Sequence, residues 1–200
     1  MDEMKLFGKW SLKGIEVKDP GLKRYINLKP MLVPKSSGRL SKYQFYKSKM
    51  NIVERLITHL MVPGHRGKKH LLTSDRVTGK YYKTYKIVKQ AFELIEKQTK
   101  KNPVEVFVRA VENAALREEI AAYQLGGIIV RRAVVTSPQR RVDLALRHIA
   151  QAAYRKSFGK KKKMYEALAE EIIGAYNNDP SRSDAIREKE RIEKEAEGAR

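Results

Sequence analysis

Residues 118–155 read EEIAAYQLGGIIVRRAVVTSPQRRVDLALRHIAQAAYR, and this stretch decides the architecture. Two apolar, β-branched runs flank Gly126-Gly127. Glycine takes positive φ without steric penalty, so the pair suits a two-residue turn that matches strand twist. The spacing predicts a hairpin over about 118–137 that pairs Leu125 with Ile128 and Tyr123 with Val130. Alternation sends Arg131 and Arg132 to opposite faces. Ser137-Pro138 ends the second strand and starts a helix, because Ser is a favoured N-cap and Pro fits the first helical position.

On that helix Val142, Leu146, Ile149 and Ala153 fall within one narrow arc at 100° per residue, with Ala145 and Ala150 at its edges. That arc is the expected core face. The opposite arc collects Arg140, Arg141, Arg147, His148, Gln151 and Arg155, with Leu144 as the one apolar intruder and Asp143 as a marginal carboxylate. Read locally, this face is cationic and almost unpaired. Solvated faces normally mix signs, so a one-signed face beside a hairpin points to a polyanion.

The whole chain supports that direction. It has 200 residues, a formal charge of +20 and no cysteine, which excludes disulfides and thiolate metal sites. So large a positive field favours nucleic acid, acidic membrane surfaces or acidic proteins without choosing among them. No apolar run approaches the roughly 20 residues that span a bilayer. The first ten residues, MDEMKLFGKW, lack the apolar core of a secretory signal. A cytoplasmic protein, not bound to membrane, is expected.

Upstream of the hairpin, residues 1–48 are basic and interrupted by Pro20, Pro30, Pro34 and Gly38, so mostly irregular structure is expected there. Their end interleaves Lys35, Arg39, Lys42, Lys47 and Lys49 with Tyr43, Phe45 and Tyr46. Cations and stackable rings together suit RNA, whose unpaired bases stack on aromatic faces; burial of those rings against the first helix is the competing expectation. Ile52, Val53, Leu56, Ile57 and Leu60 form a helical stripe, followed by a basic loop that contains Lys68 and Lys69. His59, His65 and His70 have no ligand spacing with carboxylates, so no metal is expected. Tyr81 to Lys100 reads as a helix with Val88, Ala91, Phe92 and Ile95 inward. Asn102-Pro103 caps and starts a third, with Val104, Phe107, Val108 and Val111 as core. After the basic helix a GKKKK loop holding Lys160 and Lys161 leads into a helix through Met164, Leu168, Ile172 and Ala175. Residues 181–200 balance six basic and six acidic residues, which fits either a helix laced by i,i+4 ion pairs or a segment ordered only on binding.

The expected fold is therefore mainly α: a single-domain helical bundle of about six helices with a protruding β-hairpin between the third and fourth long helices. Its parts are an N-terminal extension (1–48), a helical domain (49–180) and a charged C-terminal helix or tail (181–200). No phosphate-binding P-loop, nucleophile elbow or H-E-x-x-H pair occurs, and carboxylates are sparse in the basic blocks, so catalysis and cofactors are not expected. An architectural DNA-binding protein with a β-arm is the alternative from another class.

The runs KSKMNIVERLITHLM (47–61), NPVEVFVRAVENAALREE (102–119) and GGIIVRRAVVTSPQRRVDLALRHIA (126–150) closely resemble a family of small-subunit ribosomal proteins, the universal S-seven family in its archaeal and eukaryotic branch. The likeness covers roughly residues 30–200. It implies a non-catalytic binder of the three-prime major domain of small-subunit rRNA that nucleates assembly of the subunit head as a monomer within the ribosome, beside neighbouring head proteins. It also implies a hairpin near the mRNA exit and the exit-site tRNA, where Gly126, Gly127, Arg131 and Arg132 would lie. The S-P-Q-R-R match assigns rRNA contact to Arg140 and Arg141, and the S-G-R match assigns it to Arg39. The charge pattern adds Lys35, Lys42, Lys68, Lys69, Arg147, Arg155, Lys160 and Lys161. The chain departs from the family pattern at Leu116, where relatives commonly have Pro, and at Ile129 and Val130, where they often carry a Tyr.

Overall fold

The computed structural model describes residues 4–66, 69, 70 and 79–200. Two 3-10 turns (Arg39–Ser41 and Tyr46–Lys49) precede helix α1 (Ile52–Leu60). A ribbon of two-residue strands, β1 (His65–Arg66) and β2 (Lys69–His70), stands in the segment expected to be only loop. Then come α2 (Tyr81–Thr99), α3 (Pro103–Ala114), the hairpin strands β3 (Glu118–Leu125) and β4 (Ile128–Val135), α4 (Pro138–Ser157), α5 (Met164–Tyr176) and α6 (Asp184–Glu197). The protein is mainly helical, a single domain with the hairpin between α3 and α4.

Local chemistry explains the boundaries. Asn51 and Asn102 cap α1 and α3 by accepting from the N–H groups of Val53 (2.9 Å) and Val104 (3.0 Å), which have no carbonyl partner inside the helix. Pro138 occupies the first turn of α4 as expected, but the Ser137 side chain makes no capping bond. Gly126 and Gly127 take φ of 54° and 87°, the pair of positive angles that a tight hairpin turn requires. The register is the one alternation predicts, with Leu125 opposite Ile128, Tyr123 opposite Val130, and Arg131 and Arg132 opposite Ala122 and Ala121.

The expected stripes of α1, α2, α3 and α5 are all buried, and α5 packs against α2, α3 and α4. Two features differ from the local pattern. First, the irregular N-terminal segment supplies core: Leu6, Phe7, Trp10, Leu12, Leu22 and Ile26 are buried, and the Phe7 and Trp10 rings meet Phe92 edge-on at 6.2 and 5.8 Å. Second, Leu144, expected on the exposed arc of α4, is buried with 7 % exposure. Helix α6 lies against this side of α4, where Arg155 approaches Asp184 at 3.9 Å. A helix read alone cannot show that a second helix covers its back.

Two buried charges tie the elements together. Arg55, fully buried on α1, donates to the Tyr25 carbonyl (2.8 Å) and to Asp143 of α4 (2.7 Å). Glu171, fully buried on α5, accepts from Lys156 of α4 (2.6 Å), from the Ser183 hydroxyl (2.7 Å) and from the Ala185 N–H (2.9 Å), so it caps α6 from outside. Next to it, a Cβ on Gly174 would come within 3.1 Å of the Arg182 and Ser183 backbone, so a larger residue would push that segment back by a few tenths of an ångström.

Asp143→Ala leaves the Arg55 guanidinium buried without its counter-charge and is expected to cost about 3 to 5 kcal/mol in chemical denaturation. The double variant Arg55→Met with Asp143→Leu should lose clearly less than the sum of the single losses. Because both leucines are buried, Leu144→Ala and Leu146→Ala should each lose about 2 to 5 kcal/mol. A loss near zero at Leu144 would mean that α6 does not cover it in solution.

Candidate nucleic-acid interface

The cationic arc of α4 divides into two populations. At its start the arginines are engaged inside the protein. Arg140 makes a two-point contact with Glu119 of β3 (2.6 and 2.7 Å), which raises its pKa. Arg141 donates to Asp19 (2.8 Å) and to the Leu116 carbonyl (2.8 Å) and is largely covered. Partial burial disfavours the Asp19 carboxylate, but the Gly21 N–H and Arg141 hold its pKa below the usual range. Both carboxylates lie far away in sequence, which is why this end of the helix reads locally as unpaired.

Asp143 marks the next turn. Burial alone would raise its pKa, yet His59 at 3.8 Å and hydrogen bonds from Lys47 and Arg55 hold it well below the carboxylate range. Lys47 reaches it at 2.8 Å, which seats the 42–49 segment beside α4. Beyond Asp143 the helix is mostly covered, and only Arg147 and Arg155 reach solvent. Arg147, one turn on, is exposed and lines a groove with His59, Val62, Pro63, Ala150 and Gln151. Arg155 is exposed, and the loop after α4 turns at Gly159 (φ 68°) to present exposed Lys160 and Lys161. Lys162, by contrast, bonds Glu170.

In the segment that Lys47 ties to Asp143, Lys35, Arg39 and Lys42 are exposed. Their segment is fixed to the frame at both ends. Glu54 accepts from the Ser36 N–H (2.6 Å) and hydroxyl (2.8 Å), the Tyr81 hydroxyl bonds the Pro34 carbonyl, and the Asn27 amide bonds the Lys49 carbonyl. Lys68 lies outside the described residues, and Lys69 stands on β2. The 39–49 and 147–161 blocks thus flank one carboxylate that is already neutralised from within.

The hairpin has a clamped root and an open end. Arg200 pairs with Glu118 at 2.6 Å, Glu193 accepts from the Arg117 N–H at 2.8 Å, and Thr136 N–H bonds the Arg117 carbonyl at 3.0 Å. From Ala122 to Ile129 every residue is exposed, Ile128 and Ile129 at 71 % and 68 %, and Arg131 and Arg132 are exposed as well. Among the described residues no group of His, Asp and Glu could hold a metal ion, and no helix is long and apolar enough to cross a membrane.

The sequence that builds this surface has counterparts in known proteins. A model of the family described as ribosomal protein S7p/S5e matches residues 22–200. The chain belongs to that family. It is 55 % identical over 198 residues to the small ribosomal subunit protein uS7 of Nanoarchaeum equitans, covering 99 % of this chain and all of that one. It is 46 % identical over 199 residues to the uS7 protein of Archaeoglobus fulgidus, covering all of this chain and 96 % of that one. S7p/S5e proteins are structural components of the small ribosomal subunit, not enzymes, and they bring RNA binding and translation with them.

One titratable group is placed by the covering helix. His148 was expected among the outward cations. It lies instead partly buried between α4 and α6, with Nδ1 buried and without a hydrogen-bond partner among the described residues. Burial drives its pKa down to about 4; Glu188 opposes the shift, while Arg147, Arg155 and Arg191 add to it. Between pH 6.5 and about 4 the unfolded chain therefore takes up a proton that the folded protein refuses. His148 contributes stability above pH 6.5 that is lost as pH falls toward 4. In denaturation series from pH 7 to pH 4, the wild type should lose about 1 to 3 kcal/mol more than His148→Gln. Parallel curves would remove the burial argument.

Proposed function

We propose that the chain binds the three-prime major domain of small-subunit rRNA, nucleates assembly of the subunit head as a monomer within the cytoplasmic ribosome, and places its hairpin near the mRNA exit and the exit-site tRNA. The observation that carries this reading is the division of charge. Carboxylates within reach of the basic face are consumed internally, as Asp19, Asp143 and Glu119 are, while Lys35, Arg39, Lys42, Arg147, Arg155, Lys160 and Lys161 stay exposed on a rigid frame. Cations that face solvent release condensed counterions from phosphates, the main source of affinity for nucleic acid.

Residues 49–180, with the hairpin, form the binding body in this reading. The 1–48 extension adds one basic edge, and 181–200 stands behind the hairpin. Arg140 is still half exposed beyond its pair with Glu119 and can reach a phosphate as well; Arg141, largely covered, acts by holding α4 to Asp19. Lys68 and Lys69 add two basic residues to the binding set in this reading. Gly126 and Gly127 shape the tip, and Arg131 and Arg132 give each face of the ribbon a cation for tRNA, mRNA or neighbouring head proteins.

The test separates body from hairpin. Replacing Arg147, Arg155, Lys160 and Lys161 by Ala should weaken binding to protein-free small-subunit rRNA, and each lost phosphate contact should reduce the slope of log K against log salt by about 0.7 to 0.9. Deleting Tyr123 to Val130 with a short Gly closure should leave that binding largely intact and alter exit-site tRNA retention in assembled subunits. An unchanged slope in the first variant, or loss of rRNA binding in the second, would refute this division of labour.

A further inference from the structure

We infer that Phe45 and Tyr43 form a stacking site for unpaired RNA bases, an inference that rests on the rRNA-binding reading and gives that surface a component other than charge. The rings of Tyr43 and Phe45 are 63 % and 64 % exposed, and neither belongs to the core. A single exposed ring is ordinary. Phe45 is less so, because it holds φ at 66°, a left-handed conformation that glycine adopts freely and a bulky residue resists. The strain is maintained by specific bonds: the Phe45 carbonyl accepts from the Ser48 N–H (3.1 Å) and hydroxyl (2.8 Å), and the Tyr43 carbonyl accepts from the Tyr46 N–H (3.3 Å). The turn is anchored by Lys47 on Asp143 and by the Asn27 amide on the Lys49 carbonyl. A constrained backbone thus presents an aromatic face to solvent and leaves most of the ring unburied. Strain of this kind is retained where a site requires it.

The surroundings select the partner. No Asp or Glu occurs between Asp19 and Glu54, and Lys42, Lys47 and Lys49 bracket the two rings. The third ring, Tyr46, is half buried, tilted against Tyr43 at 4.8 Å and covered by the Lys49 ammonium at 3.7 Å from its centroid. Tyr46 therefore buttresses, whereas Tyr43 and Phe45 are available. A protein partner that buried two aromatic rings would meet Lys42 and Lys49 at the rim, in a stretch without a carboxylate of its own. A single-stranded polyanion whose bases carry π-faces satisfies both features at once.

The test measures affinity for protein-free small-subunit rRNA across a salt series, together with the denaturation midpoint of each free variant. Phe45→Asn keeps a residue that tolerates the left-handed backbone, so its midpoint should stay near that of the wild type. Its affinity should fall about fivefold to a hundredfold, the range for loss of one stacked base. The slope of log K against log salt should not change, since no cation is lost. Tyr43→Ser should also weaken binding, Phe45→Trp should retain it, and ultraviolet crosslinking should join the 43–45 peptide to RNA. Wild-type affinity in Phe45→Asn overturns the inference, as does a collapse of its midpoint, which would make the ring structural. Normal rRNA affinity with failed incorporation beside other head proteins would assign the rings to a protein contact and overturn it too. If the wild type showed no salt-dependent rRNA binding, the rRNA reading itself would fall, and the stacking site with it.

Discussion

The frame depends on one buried guanidinium. Arg55 is removed from water on α1, and a charge in that position needs a counter-charge and hydrogen-bond acceptors. The Tyr25 carbonyl from the N-terminal segment and Asp143 from α4 meet its two terminal nitrogens, so three parts of the chain distant in sequence must arrive together. Asp143 then reaches outward to Lys47, which carries the same constraint to the surface. A hydrophobic pair would hold α1 to α4 as firmly, but it would not fix the position of a polar surface segment.

The sequence was informative wherever a property repeats at the period of its own element. The stripes of α1, α2, α3 and α5, the turn at Gly126-Gly127 and the pairing of Tyr123 with Val130 are all local, and all appear in the fold. It was uninformative wherever the deciding partner is remote. Arg141 looks unpaired until Asp19, 122 residues away, closes on it. Leu144 looks exposed until α6 is laid across it. Leu6, Trp10 and Leu22 sit in a stretch with no periodicity, because chain without regular structure can bury side chains at any spacing. The available clue was size, since a Trp and a Phe close together in an irregular segment usually find a core.

The candidate interface follows the same rule. Which cations exist was readable; which of them the protein keeps for itself was not. The carboxylates that neutralise Arg140 and Arg141 sit at the root of the hairpin and in the N-terminal segment, so the start of α4 behaves as a joint and its later turns as a surface. Family membership agrees with a structural protein of the small ribosomal subunit.

The clamped root of the hairpin makes it a lever. Eight residues per strand at about 3.4 Å each give an arm of roughly 25 Å, so a rotation of about 5° at the root displaces the tip by about 2 Å. The rotation is resisted in part by Arg140 on Glu119 and Arg200 on Glu118, whose arginines are more than half exposed. Pairs at that exposure are screened by salt. The sweep of the tip is thus coupled to ionic strength at its pivot, while the apolar residues at its far end, Leu125, Ile128 and Ile129, carry no charge for salt to act on.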